Sequence, residues 1–125
     1  MTATDLENIF NTLCPLLARY QPPLASKHDD ERYYDLWSFK ELVIEGRKRK
    51  EIFFAGLIIQ KDYVGFYFMP VYSDEQVKDF FKPELLSCLR GKSCFHIKKL
   101  DAELLRQIDE ALQTGYALYQ QKGWV

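Results

Sequence analysis

The chain lacks an excess of either charge, a paired set of cysteines and any long apolar run, and each absence removes a class of function. With 17 basic and 18 acidic residues the net charge is -1, so the whole-molecule field favours neither nucleic acid nor a membrane surface, and any such contact is local. Three cysteines, Cys14, Cys88 and Cys94, leave one unpaired whatever the bonding. No Cys-x-x-Cys spacing occurs, so neither a zinc knuckle nor a thioredoxin-like motif is supported. Reduced, buried thiols are the expectation. No apolar run approaches the roughly 20 residues of a membrane helix. The first residues, with Asp5 and Glu7, lack the basic and apolar segments of a signal peptide, so a cytoplasmic protein is expected.

Catalytic and phosphate-binding motifs are equally scarce. Gly91–Lys92–Ser93 resembles the end of a P-loop, but Leu86 stands where its first glycine belongs. The motif also follows a helix and precedes a strand, the reverse of what a P-loop needs. The only histidines are His28 and His96, and spacing assigns neither to a Ser-His-Asp or Cys-His arrangement. Cys94 and His96 share one strand face, the placement a thiolate pair would need.

Aromatic side chains, in contrast, are abundant at 15%, clustered at Tyr33–Phe39, Phe53–Phe54 and Tyr63–Tyr72. The length suits a single domain, residues 1–125, whose core needs no staples. Its organising stretch is Leu42–Met69, which reads as two consecutive hairpins. They comprise Leu42–Glu45, a basic tip at Gly46–Lys50, Ile52–Ile59, a turn at Gln60–Lys61–Asp62, and Tyr63–Met69. Ile52–Ile59 is apolar at both parities: Ile52, Phe54, Gly56 and Ile58 on one face, Phe53, Ala55, Leu57 and Ile59 on the other. Such a strand is expected to be central, with both faces covered and helices on at least one. Tyr33–Phe39 is a separate edge strand or a bulged continuation into Leu42–Glu45.

Helices flank this sheet. Leu6, Ile9, Phe10, Leu13, Leu16, Leu17 and Tyr20 make one stripe of a helix over 4–20, which Pro15 is expected to kink or end early. Ser73 with Gln76 forms a capping box for a short helix, and Pro83 starts another turn through Leu89. Gly91 leads to a strand at Ser93–Lys98. Asp101 caps a last helix that buries Leu104, Leu105, Ile108, Ala111, Leu112, Leu118 and Tyr119. Gly115 on that stripe predicts close approach to the sheet or to Trp124. Two amphipathic helices that need one sheet imply an α+β, two-layer domain with a mainly antiparallel sheet.

Three stretches resemble the DUF1801 family, also called YdhG-like. They are Phe53–Phe54–Ala55–Gly56–Leu57, Lys61–Asp62–Tyr63–Val64–Gly65–Phe66–Tyr67, and Gly91–Lys92–Ser93–Cys94–Phe95–His96–Ile97. The resemblance spans about residues 35–120 and implies the same two-layer fold. Two departures are Tyr63 where the family often has His, and the absence of its Met-Pro dipeptide before the first long strand. The family has no established enzymatic activity, and some relatives carry a frataxin-like iron-chaperone label. Iron as a possible cofactor is what the resemblance implies.

The candidate sites follow from these patterns. Trp37, Tyr63, Tyr67 and Tyr72 lie on or next to the sheet, and one face of a half-covered sheet offers an aromatic-lined groove. A groove formed by Trp37, Tyr67, Lys92 and Ser93 would bind a small ligand or a protein partner without catalysis. For the iron reading, Asp74, Glu75 and Asp79 are the local candidates, because carboxylates supply hard oxygen ligands and Glu75 and Asp79 share a helix face. Other acidic clusters, at Asp29–Glu31 and at Asp101, Glu103, Asp109 and Glu110, fit helix-dipole and solubility roles. Arg47–Lys50 is expected to be a solvated tip, with nucleic acid disfavoured because no aromatic interleaves with the run. An enzyme of unknown class is the remaining alternative, and no constellation supports one.

Overall fold

Ile52–Ile59 forms the long strand that its apolar run demands, and the rest of the molecule is built on it. A computed structural model describes residues 3–44, 46–70, 81–91 and 93–125 of the chain. In chain order the elements are α1 (Ala3–Ala18), β1 (Tyr33–Ser38), β2 (Leu42–Ile44), β3 (Arg47–Arg49), β4 (Ile52–Ile59) and β5 (Val64–Phe68). After these come α2 (Pro83–Leu86), β6 (Leu89–Arg90), β7 (Cys94–Ile97) and α3 (Ala102–Gln121). A five-stranded antiparallel sheet runs β1-β4-β5-β7-β6, and α1 and α3 pack on one face of it. This is the two-layer α+β domain the patterning requires.

The core lies between the helices and that face. Leu6, Ile9, Phe10, Leu13 and Leu17 of α1 meet Leu36, Phe54, Leu57 and Phe66 of the sheet and Ile108, Ala111, Leu112 and Tyr119 of α3. Phe54 contacts Phe68, Tyr116 and Tyr119 edge-on, the arrangement that ring quadrupoles favour. The Tyr119 hydroxyl donates to the Phe53 carbonyl at 2.6 Å, which ties α3 to β4. Gly115 allows α3 to approach β5: a Cβ there would stand 2.5 Å from the Phe68 ring and 2.8 Å from Pro70. Its neighbour is therefore the sheet, not Trp124. Asp101 caps α3 through a bond from the Leu104 N–H at 2.8 Å, satisfying one orphan donor of the first turn.

Several details depart from the sequence reading. β4 is interior, but β5 holds the middle place in the sheet. A bulge at Phe54 changes the parity of β4: Leu36 pairs with Ala55 and Trp37 with Phe53, leaving Phe54 as the extra residue. Phe54 and Ala55 therefore both enter the helix-side core, whereas Phe53, Gly56 and Ile58 line the opposite face. No helix covers that opposite face among the described residues.

Pairing also differs. Leu42–Ile44 pairs with Arg47–Arg49 in a separate two-stranded ribbon, so the basic run is a strand of that ribbon and not its tip. β4 pairs instead with β1, which is a true edge strand. That edge is shielded where Ala25 and Trp37 exchange backbone bonds at 2.9 and 2.8 Å. α1 runs through Pro15 to Ala18 without ending early. The turn opened by Pro83 stops at Leu86, and Leu89–Arg90 becomes a short edge strand. The helix expected from Ser73 lies outside the described residues.

Candidate binding groove

On the face away from the helices, strand alternation and the β4 bulge bring together side chains from β1, β4 and β5. Tyr33, Trp37, Phe53, Gly56, Ile58, Tyr67, Met69 and Ser93 line a concavity of about 520 Å³. That volume lies within the range of small-molecule sites, which are also mostly apolar with a few placed polar groups. Two glycines let its rings lie close to the strands. A Cβ on Gly65 would stand 2.8 Å from the Tyr67 ring, and one on Gly56 would stand 3.1 Å from Phe53. Without those Cβ atoms, the two rings lie down on the strands, and the groove stays open between them.

The β1 wall is held from beneath by a buried carboxylate. Asp35 is 0% exposed. Its Oδ1 accepts from the Lys27 N–H at 2.8 Å and the His28 N–H at 2.9 Å, and Ser26 Oγ, which donates to the His28 carbonyl at 2.7 Å, lies 3.2 Å away. Its Oδ2 lies 2.7 Å from His28 Nδ1 and accepts from Trp37 Nε1 at 3.0 Å. Burial by itself raises the carboxyl pKa, but the hydrogen bonds from His28, Trp37 and Lys27 outweigh it and hold it below the ordinary carboxylate value. Asp35 is thus ionised at neutral pH and fixes the Trp37 indole.

Further contacts set the remaining aromatic rings. The Lys27 ammonium sits 3.9 Å from the Trp37 ring centroid and pairs with Glu51, while Phe53 meets Trp37 edge-on at 5.1 Å. His28 stacks on Tyr33 at 4.1 Å. The Tyr67 hydroxyl accepts from Gln60 Nε2 at 3.2 Å. Burial, with Cys94 beside it, raises the Tyr67 pKa, so the phenol stays neutral and keeps its proton.

Of the residues expected to form the groove, Trp37, Tyr67 and Ser93 line this one concavity; Lys92 lies outside the described residues. Tyr63 is elsewhere, stacked on His96 at 3.7 Å, and Tyr72 lies outside the described residues. Tyr33, Phe53, Ile58 and Met69 complete the lining without having been singled out. Tyr33 had a signal, since it stands four residues from Trp37 on one strand. Phe53 and Ile58 had none, because a strand that is apolar on both faces hides which side the bulge exposes.

Comparison with protein-family models, with curated proteins and with solved structures gives no match to this chain.

The remaining chemistry is quickly placed. Asp74, Glu75 and Asp79, the iron candidates, lie outside the described residues. No grouping of three or more His, Cys, Asp or Glu side chains suited to a metal occurs among the described residues. The other acidic clusters have structural work: Asp30 accepts from the Arg32 and Tyr33 N–H groups, Asp109 pairs with Arg19, and Glu103 and Glu110 pair with Arg106. Cys94 and His96 do not form a thiolate–imidazolium pair. Burial raises the Cys94 pKa, and burial with nearby Arg90 and Lys98 lowers that of His96, both opposite to what such a pair needs. Cys14, Cys88 and Cys94 are free thiols. No helix among the described residues is long and apolar enough to cross a membrane.

Proposed function

We propose that this chain is a cytoplasmic, non-enzymatic binding module that takes a small planar or apolar ligand in the aromatic groove. The observation that carries the reading is the apolar concavity of about 520 Å³ on the sheet face away from α1 and α3, with Gly56 in its lining and Gly65 against the Tyr67 ring. A fold indifferent to ligands gains by filling such a face, since buried apolar surface stabilises by about 25 cal/mol per Å². Here the wall is instead fixed before any ligand arrives, by Asp35 under Trp37 and His28 against Tyr33. Such preorganisation lowers the entropic cost of binding. Ser93 and the Tyr67 hydroxyl are the polar groups at the lining that can orient a ligand. Three free thiols support a reducing compartment. Membership of the DUF1801 family, on the stretches quoted above, is part of this proposal.

A titration with the neutral dye N-phenyl-1-naphthylamine tests it. The expected result is saturable, blue-shifted emission that weakens by about tenfold or more in Ser93→Trp, whose indole occupies the groove. Circular dichroism checks that the variant is folded. No saturable binding, or binding unchanged in folded Ser93→Trp, overturns the proposal.

A further inference from the structure

Beyond the groove, the same sheet face carries a second concavity at the β6–β7 end. It has a volume of about 370 Å³ and is lined by Ser87, Cys88, Arg90, His96, Lys98 and Lys99. Strand pairing builds it: Arg90 lies opposite Cys94, and the His96 N–H donates to the Cys88 carbonyl at 2.9 Å. This brings the Ser87–Arg90 segment alongside β7, which Lys98 and Lys99 follow. Four of the six lining side chains are basic. Arg90, Lys98 and Lys99 form no ion pair among the described residues, unlike Arg19, Lys27 and Arg106, which pair with carboxylates.

Arg90 is partly fixed before any anion arrives. One of its terminal nitrogens, Nη1, donates to the Ser87 and Leu89 carbonyls at 2.9 and 3.0 Å. Its Nη2 and Nε donors are left for a planar, two-pronged contact with a tetrahedral oxyanion. The Ser87 hydroxyl donates to the Glu84 carbonyl at 2.7 Å, so it offers no proton, and the available donors are Arg90, His96, Lys98 and Lys99. His96 is held upright by its 3.7 Å stack on Tyr63. It is faced by Tyr63 from the β4–β5 hairpin, by Arg90 and Cys88 from the β6 side, and by Lys98 just past the end of its own strand.

We propose that this pocket binds a phosphate group, carried by a small phosphomonoester. A dianion relieves the mutual repulsion of the converging cations, and the volume leaves room for an organic portion beside the phosphate. Burial is the main cause of the lowered His96 pKa, and the positive field of Arg90 and Lys98 adds to it. Bound phosphate reverses that field and brings the imidazole back toward protonation. The proposal does not rest on the groove, and each can fail without the other.

The test uses the full-length, labelled protein and follows the His96 ring signals by NMR at constant ionic strength. The titrants are inorganic phosphate and phenyl phosphate, with a separate sodium chloride series at rising ionic strength as the screening control. The expected result is saturable shifts at His96 and Arg90 with both phosphates, tighter for phenyl phosphate, together with an upward move of the His96 pKa. Lys98→Ala/Lys99→Ala, both exposed positions, is expected to weaken binding about tenfold or more. Arg90→Lys keeps the charge but loses the fork, and is expected to weaken it as well. Inorganic phosphate binding as tightly as phenyl phosphate would restrict the site to the free ion and overturn the phosphomonoester assignment. Shifts that chloride reproduces, or that persist unchanged in the double variant, would overturn the site itself and leave the charges as guards of an open sheet edge.

Discussion

Replacing Asp35 with Asn probes the support of the groove with the least change of shape. The carboxylate is fully buried and faces four donors: the Lys27 and His28 N–H groups, His28 Nδ1 and Trp37 Nε1. An amide keeps one accepting oxygen and turns the other position into a donor. The cheaper orientation leaves the oxygen on the backbone N–H groups, lets His28 change tautomer, and strands the Trp37 indole N–H. One buried, unsatisfied donor and the loss of charge-assisted bonds together cost about 2–4 kcal/mol. The pH dependence has a definite sign. The folded-state pKa of Asp35 is lowered, so its stabilisation is fully present above the unfolded-state carboxylate value, about 3.9. It is lost as the pH falls through the lower folded value. Urea unfolding of the two proteins at several pH values should therefore show a constant gap near neutrality that closes in acid. A gap below about 0.5 kcal/mol at pH 7, or one that stays unchanged down to pH 2, would refute the reasoning that this carboxylate is ionised and satisfied.

Two further predictions follow from the fold. Phe54→Ala removes a fully buried ring that touches both α3 and β5, and urea unfolding should show a loss of about 3–5 kcal/mol; a loss below about 1 kcal/mol would contradict its place in the core. Replacing Arg47, Lys48, Arg49 and Lys50, all exposed, with Gln and Ser should leave the unfolding free energy within about 0.5 kcal/mol of the parent. Nucleic-acid binding that falls steeply with salt and vanishes in this variant would show that the ribbon has a partner.

The layer architecture was legible because it rests on periodicities. The stripes at Leu6–Leu17 and Leu104–Tyr119 need one apolar surface, and Ile52–Ile59 supplies it. Register was not legible, for the same reason that the strand was easy to find. With both parities apolar, a one-residue shift costs nothing in pattern, so the bulge that turns Phe54 toward α3 and Phe53 outward leaves no trace in the sequence. Arg47–Arg49 looked like a tip because charge runs favour turns. Gly46, with φ of 80°, makes the turn just before it, and a glycine there adopts a positive φ without strain. Trp37, Tyr67 and Ser93 were visible as an aromatic and polar set near one sheet face. Asp35 was not, since a carboxylate buried by local backbone donors looks like any surface aspartate until the chain folds over it.

The groove walled by Trp37 and floored by Gly56 is where this chain is proposed to bind a ligand. The chain has two tryptophans, Trp37 and Trp124, so the indole N–H signals of labelled protein give a direct footprint for the neutral dye. Saturating dye is expected to shift the Trp37 indole signal and the Gly56, Gly65 and Ser93 amides, while the Trp124 indole stays in place. A footprint centred instead on Phe39 and Val43, the exposed large hydrophobics beside the basic ribbon, or shifts spread equally over both indoles, would contradict it.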